Sequence, residues 1–67
     1  MTDDADIWRS ANLLIAEHGS NALIQAGMRV AGMMAKGDVA GAILWKRIMR
    51  AVDDLQRQQR RHDEGLN

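Results

Sequence analysis

The sequence predicts an all-α fold, a three-helix bundle built on an αα-hairpin, with helices at about residues 3–18, 21–36 and 38–61. Ten of its 67 residues are alanine, the best helix former, and there is no proline. No window alternates β-branched with polar residues as a strand does. Gly37-Asp38 separates two stretches whose apolar residues recur at three- and four-residue steps. We therefore expect these stretches to be antiparallel neighbouring helices.

The first predicted helix starts near Asp3, with Thr2 or Asp3 as its cap, and several aspartates place negative charge at the positive end of the helix dipole. Trp8, Leu14 and Ile15 fall on one face at helical spacing and are expected in the core. Gly19 can adopt the left-handed conformation that closes a helix, so we place the end at about residue 18.

The second predicted helix begins after Ser20, a good N-cap residue. Its apolar face contains many small residues, with Gly27, Ala31 and Ala35 one turn apart. A large ring could approach the backbone closely there. We expect this stripe to form a groove for a tryptophan.

The third predicted helix follows the corner at Gly37, which ends the preceding helix, and Asp38, which caps the next one. Trp45 is the largest side chain in its apolar stripe. That stripe stops at Leu55, so the helix is expected to extend beyond its shorter neighbours. Residues 62–67 are expected to form a frayed polar tail on a single domain spanning residues 1–67.

Two sets of residues summarise these structural expectations. The expected core consists of Trp8, Leu14, Ile15, Leu23, Val30, Leu44, Trp45, Ile48, Val52 and Leu55. The expected helix caps are Gly19, Ser20, Gly37 and Asp38.

Composition excludes several classes of protein. A domain this small buries only about 60% of the surface of its unfolded chain. The chain contains no cysteine with which to form disulfides or a thiolate metal site. Oligomerisation is then the common route to stability, and we expect a homo-oligomer or another protein as partner. No apolar run approaches the roughly 20 residues that cross a bilayer, and the start lacks the features of a secretory signal. We expect no membrane partner and a cytoplasmic location.

The sequence contains no recognisable catalytic or metal-binding spacing. Its two histidines, His18 and His62, are far apart, and no paired acids or phosphate-binding glycine motif is present. We expect neither catalytic residues nor a cofactor nor a metal, and hence no enzyme.

Basic residues are concentrated in the third helix. Arg47, Arg50, Arg57 and Arg61 share a broad face that could follow a phosphate backbone, but Asp53 and Asp54 interrupt it. A solvated face with local ion pairs is favoured, because the nine basic residues of the chain balance nine acidic ones. Nucleic-acid binding or a regulatory role through this face is the alternative function.

The order of residues from Trp8 to Leu55 resembles a family of small uncharacterised bacterial helical proteins, a domain of unknown function. The matching pattern runs Trp8, Ala11-Asn12-Leu13-Leu14-Ile15, His18-Gly19, Ala22, Ala26, Arg29, Gly37-Asp38, Gly41, Trp45-Lys46-Arg47-Ile48, Ala51 and Leu55. The resemblance implies a helical fold and no particular activity. It also draws attention to four polar residues that core packing does not require, namely Asn12, His18, Arg29 and Arg47.

These observations predict a small non-enzymatic module for protein–protein interaction, self-associating through an apolar or methionine-containing face. Met28, Met33 and Met49 would form an adaptable patch if they were exposed together. The candidate interaction residues are Asn12, His18, Arg29, Arg47, Arg50 and Arg57. The four polar residues of the family pattern would form either a buried cluster or a surface, and both alternatives remain open from the sequence.

Overall fold

The computed structural model describes the backbone of residues 4–65 and the side chains of residues 4–60. The first helix, α1, spans Asp4–His18, α2 spans Ala22–Ala35 and α3 spans Val39–Gly65. No strand occurs within the described residues. The all-α prediction is confirmed for this part of the chain, whereas the proposed caps at Thr2 or Asp3 lie outside it.

The junction between α1 and α2 is a 3₁₀ turn, Gly19–Asn21, with no loop on either side. Gly19 has a φ of 57°, the left-handed conformation predicted for it. Ser20 lies inside this turn, so the prediction that it caps the second helix is wrong. The N-cap position is Asn21, which makes no side-chain cap hydrogen bond.

The corner between α2 and α3 is closed at both ends by hydrogen bonds. Gly37, with φ 76°, donates its amide to the Met34 carbonyl at 3.0 Å, and the Asp38 amide donates to the Met33 carbonyl at 2.9 Å. These two bonds form a Schellman motif at the end of α2. The Asp38 carboxylate then accepts the Gly41 amide at 2.9 Å, which caps the first turn of α3. The cap roles expected for Gly37 and Asp38 are thus both present.

α3 is the longest element and packs against both α1 and α2. It continues to Gly65, past the predicted end at residue 61, and includes the backbone of residues 62–65 that we expected to be a tail. At the usual rise, its 27 residues measure about 40 Å, against about 22 Å for the 15 residues of α1. The molecule is accordingly elongated, at 46 × 22 × 16 Å.

The core between the helices consists mainly of small side chains. Five of its nine buried residues are alanine, and Val52 is the largest side chain that is fully buried. The buried residues are Ile7, Ala11, Ala22, Ala26, Val30, Ala42, Ile48, Ala51 and Val52. Around them pack the partly buried Leu14, Ile15, Leu23, Leu44, Trp45 and Leu55. The helices can approach closely because alanine occupies most of the contact positions.

Two expectations about the core require correction. Trp8 is 40% exposed and does not belong to the buried set. Ala31 and Ala35 face outward, so they form no groove for a tryptophan. The methionine Met49 instead lies against Gly27, where an added Cβ would stand 3.7 Å from its sulfur atom.

Among the described residues, no helix combines the length and the apolar character needed to cross a membrane.

Candidate interaction surface

The polar residues singled out from the sequence all lie at the surface. Asn12, His18, Arg29 and Arg47 are exposed, and the described residues include no buried polar or charged side chain. None of the four hydrogen-bonds to or ion-pairs with another of them. Of the two alternatives, the buried cluster is therefore absent, and the four residues occupy separate surface sites.

An open groove, here called the glutamine groove, lies where α3 passes the 3₁₀ turn. Leu23 and Leu55 contribute apolar surface to it, whereas Asn12 and a row of glutamines contribute polar groups. The Gln56 side-chain amide donates to the Gly19 carbonyl at 3.0 Å and so ties α3 to the turn. Asn12 donates to the Trp8 carbonyl of its own helix, also at 3.0 Å. These bonds use the amides of Asn12 and Gln56 for structure, whereas Ser20, Gln58, Gln59 and Arg60 also line the groove.

A smaller cleft of about 260 Å³, here called the tryptophan cleft, lies between the start of α1 and the middle of α3. Trp8 forms its apolar wall. Arg47 and Arg50 line it together with Asp4 and Asp54. Two carboxylates and two guanidinium groups give this cleft no net charge, so it has no strong preference for an ionic ligand of either sign.

Arg29 is placed differently, over the ring of Trp45. Its guanidinium carbon lies 5.6 Å from the ring centroid, within the range of a cation–π interaction. This contact joins α2 to α3 at the edge of their interface. The His18 ring, by contrast, lies 3.9 Å from the carboxylate of its neighbour Glu17.

The basic residues of α3 are exposed but alternate with acids. Arg57 pairs with Asp53 at 3.2 Å, one turn earlier on the same helix. Lys46, Arg47 and Arg50 make no ion pair within the described part of the chain. The face is therefore a solvated helix surface with one local pair, and Arg61 lies beyond the described side chains.

Sequence reasoning predicted an apolar or methionine-containing face but did not identify most of the apolar side chains that are exposed. Seven large apolar residues are exposed by 40–69%, namely Trp8, Leu13, Ile24, Met28, Met34, Val39 and Ile43. Met33 and Met49, which we considered as surface partners of Met28, are partly buried instead. A signal was present in the sequence, because α2 contains only two polar residues, Gln25 and Arg29. A helix this apolar has more hydrophobic surface than one core face can cover.

No group of three or more histidine, cysteine, aspartate or glutamate residues is arranged to hold a metal ion within the described residues. Comparison with models of known protein families, with curated proteins and with solved structures finds no significant match to this chain. The described residues form an all-α structure with seven large apolar side chains exposed on its surface.

Proposed function

We propose that this chain is a small non-enzymatic protein that acts by protein–protein association, beginning with association with itself. The carrying observation is the number of large apolar side chains that the protomer leaves in water. Alanine occupies five of the nine buried positions, whereas seven large apolar side chains are exposed. Burial stabilises in proportion to apolar area, so the isolated protomer leaves much of its stabilising surface in water.

The accessible area supports the same proposal. A compact monomer of 7.5 kDa is expected to expose about 4,200 Å², whereas this chain exposes 5147 Å². The excess of about 900 Å² is close to the ~800 Å² that each partner contributes to a standard protein interface. The extended end of α3 and the exposed apolar side chains both contribute to this excess. One interface would therefore return the protomer to an ordinary exposed area.

The proposal also covers the arrangement of the three helices and the cellular location of the protein. We propose that α1, α2 and α3 form a three-helix bundle, since α3 packs along both of the other helices. The resemblance to a family of small bacterial proteins of unknown function, and with it a cytoplasmic location, is part of the same proposal. A fluorescent fusion of the full chain in a bacterial cell tests the location.

Sedimentation velocity over a range from micromolar to millimolar protein tests self-association directly. We expect the weight-average mass to rise from 7.5 kDa towards a multiple of it as the concentration increases. High salt should not weaken the association, because its driving force is apolar burial. A folded monomer throughout the range contradicts the proposal.

Nucleic-acid binding is the second candidate, and one observation favours it. Lys46, Arg47 and Arg50 are exposed on one part of α3 and make no ion pair there. Asp53 and Asp54 reduce the positive potential of the same helix. A gel-shift series with duplex DNA and single-stranded RNA at several salt concentrations tests this candidate. Affinity that falls steeply with salt supports it, and binding that is undetectable at low salt removes it.

A further inference from the structure

The outward face of α2 is an uncharged apolar stripe, here called the α2 stripe. It consists of Ile24, Met28, Ala31 and Ala35, which are all exposed and recur at four- and three-residue steps. The opposite face of the same helix is buried through Ala22, Ala26 and Val30. α2 is thus apolar on both sides, and its single charged residue lies over Trp45, away from the stripe.

Gly32 lies beside this stripe and has no structural role within the protomer. Its φ is not positive, and an added Cβ would have no heavy atom within 4 Å. Glycine in the interior of a helix is less favourable than alanine, so an unexplained one indicates a close approach by another group. The space in front of Gly32 is empty in the protomer.

The α2 stripe is also symmetric in a way that suits a second copy of the chain. If two α2 helices pack antiparallel about a twofold axis between Arg29 and Val30, each large residue of one copy faces a small residue of the other. Ile24 then lies opposite Ala35, and Met28 lies opposite Ala31. Alternating large and small residues across a helix pair allow close packing, and a twofold axis requires such self-complementarity.

We propose that the α2 stripe is an interface between two copies of this chain, packed antiparallel with Ile24 of one copy against Ala35 of the other. This inference rests on the proposed self-association and assigns its location and register. Antiparallel packing also places opposite ends of the two helix dipoles together. The stripe includes two of the large apolar side chains that the protomer leaves exposed, Ile24 at 62% and Met28 at 61%.

Charge distinguishes the α2 stripe from the other exposed apolar residues. Val39 and Ile43 share the outer face of α3 with Arg50, and a twofold pairing there would bring like charges together. Leu13 is 60% exposed but stands among Arg9 and Glu17 on α1. A symmetric pairing of either site would desolvate charged groups, whereas the α2 stripe itself contains no charged side chain.

Disulfide cross-linking tests both the location of the interface and the register of the two α2 helices. The chain has no cysteine of its own, so only the introduced cysteines can form a disulfide. The variants Ile24→Cys and Ala35→Cys are prepared separately, mixed in reduced form and oxidised, with each variant alone and Leu13→Cys as controls. In the proposed dimer, residue 24 of one copy faces residue 35 of the other. Residue 24 of one copy and residue 24 of the other lie roughly 16 Å apart along the helices, and the same holds for the two copies of residue 35. That separation exceeds the reach of about 7 Å between the Cα atoms of a disulfide.

The mixture is therefore expected to form the mixed disulfide in high yield, identified by its mass, while each variant alone stays uncross-linked. Circular dichroism of each variant checks that it is folded. Self-linking of the single variants without mixed product indicates parallel packing and overturns the proposed register. If the unmodified chain self-associates but the mixture links no better than Leu13→Cys, the interface lies elsewhere. A chain that remains monomeric by sedimentation removes the proposed function itself.

Discussion

The Asp38 carboxylate accepts the Gly41 amide at 2.9 Å, and it can do so because Gly41 has no side chain. A Cβ built on Gly41 would stand 2.6 Å from Oδ2 of Asp38 and 3.0 Å from the Met33 sulfur atom. The glycine therefore leaves room for the cap that begins α3. This pair explains why a glycine lies within the first turn of the longest helix.

A double-mutant cycle of Asp38→Ala and Gly41→Ala measures the energetic coupling between these two residues in the free energy of unfolding. Asp38→Ala is expected to lower the free energy of unfolding by about 1 kcal/mol through loss of the cap. Gly41→Ala adds up to about 1 kcal/mol of helix propensity but displaces the carboxylate. In the Asp38→Ala background the carboxylate no longer opposes that gain, whereas the Met33 sulfur atom stays near the added Cβ in both backgrounds, so we expect a coupling of about 1 kcal/mol.

Urea unfolding at one fixed protein concentration, followed by far-UV circular dichroism, provides these free energies. Asp38→Asn keeps an oxygen acceptor at the same position and serves as the matched control. Equal stabilisation by Gly41→Ala in both backgrounds would show that the cap does not depend on the glycine.

The alanine-rich core predicts a low tolerance for larger side chains. Ala26 is fully buried on α2, whereas Ala16 is exposed on α1. Ala26→Leu should destabilise the fold by about 1–3 kcal/mol through overpacking. Ala16→Leu, the same chemical change at the surface, should leave the urea midpoint nearly unchanged. Similar midpoints for the two variants would mean that the helices do not pack closely at Ala26.

The bond from Gln56 to the Gly19 carbonyl predicts a local role in holding α3 against the 3₁₀ turn. Gln56→Ala is expected to lower the free energy of unfolding by about 0.5–1 kcal/mol, as for an ordinary hydrogen bond near solvent. Gln58→Ala removes an exposed glutamine of the same groove and is the control. Urea unfolding of both variants gives the comparison, and equal effects would contradict a specific role for Gln56.

The Arg29–Trp45 contact predicts a measurable energetic coupling between α2 and α3. A cycle of Arg29→Ala and Trp45→Leu should give about 0.5–1 kcal/mol, the usual range for a cation–π contact near the surface. Arg29→Lys keeps the charge without the planar group and is expected to retain part of the coupling. Additive effects of the two substitutions on unfolding would exclude the interaction.

Gly32→Leu is predicted to affect folding and association in opposite directions. Leucine has the higher helix propensity and open space around it in the protomer, so the dissociated chain should gain up to about 0.8 kcal/mol of stability. The same side chain fills the space at the proposed interface, so sedimentation should show weaker self-association. Ala16→Leu, on the exposed face of α1, is the control for both measurements. Unchanged association would contradict close packing at Gly32.

The sequence by itself determined the features that depend on neighbouring residues. Gly37 and Asp38 set the corner between α2 and α3, and Gly19 set the end of α1, because caps and left-handed glycines act within one turn of the chain. Ser20 was assigned wrongly because a 3₁₀ turn satisfies the same amides through the backbone. The helical class followed from alanine content and periodicity.

Only the tertiary structure decided which side of each helix is covered. Trp8 and Ile7 are adjacent on α1, yet Ile7 is buried and Trp8 is 40% exposed, because the approach of α3 sets the boundary between them. On α2, apolar residues occur on both faces, so periodicity could not select the inner one. The small volume of Ala22 and Ala26 lets α2 pack inward there and leaves Ile24 and Met28 outside. The candidate interface is thus a consequence of packing between distant segments, which local sequence patterns do not contain.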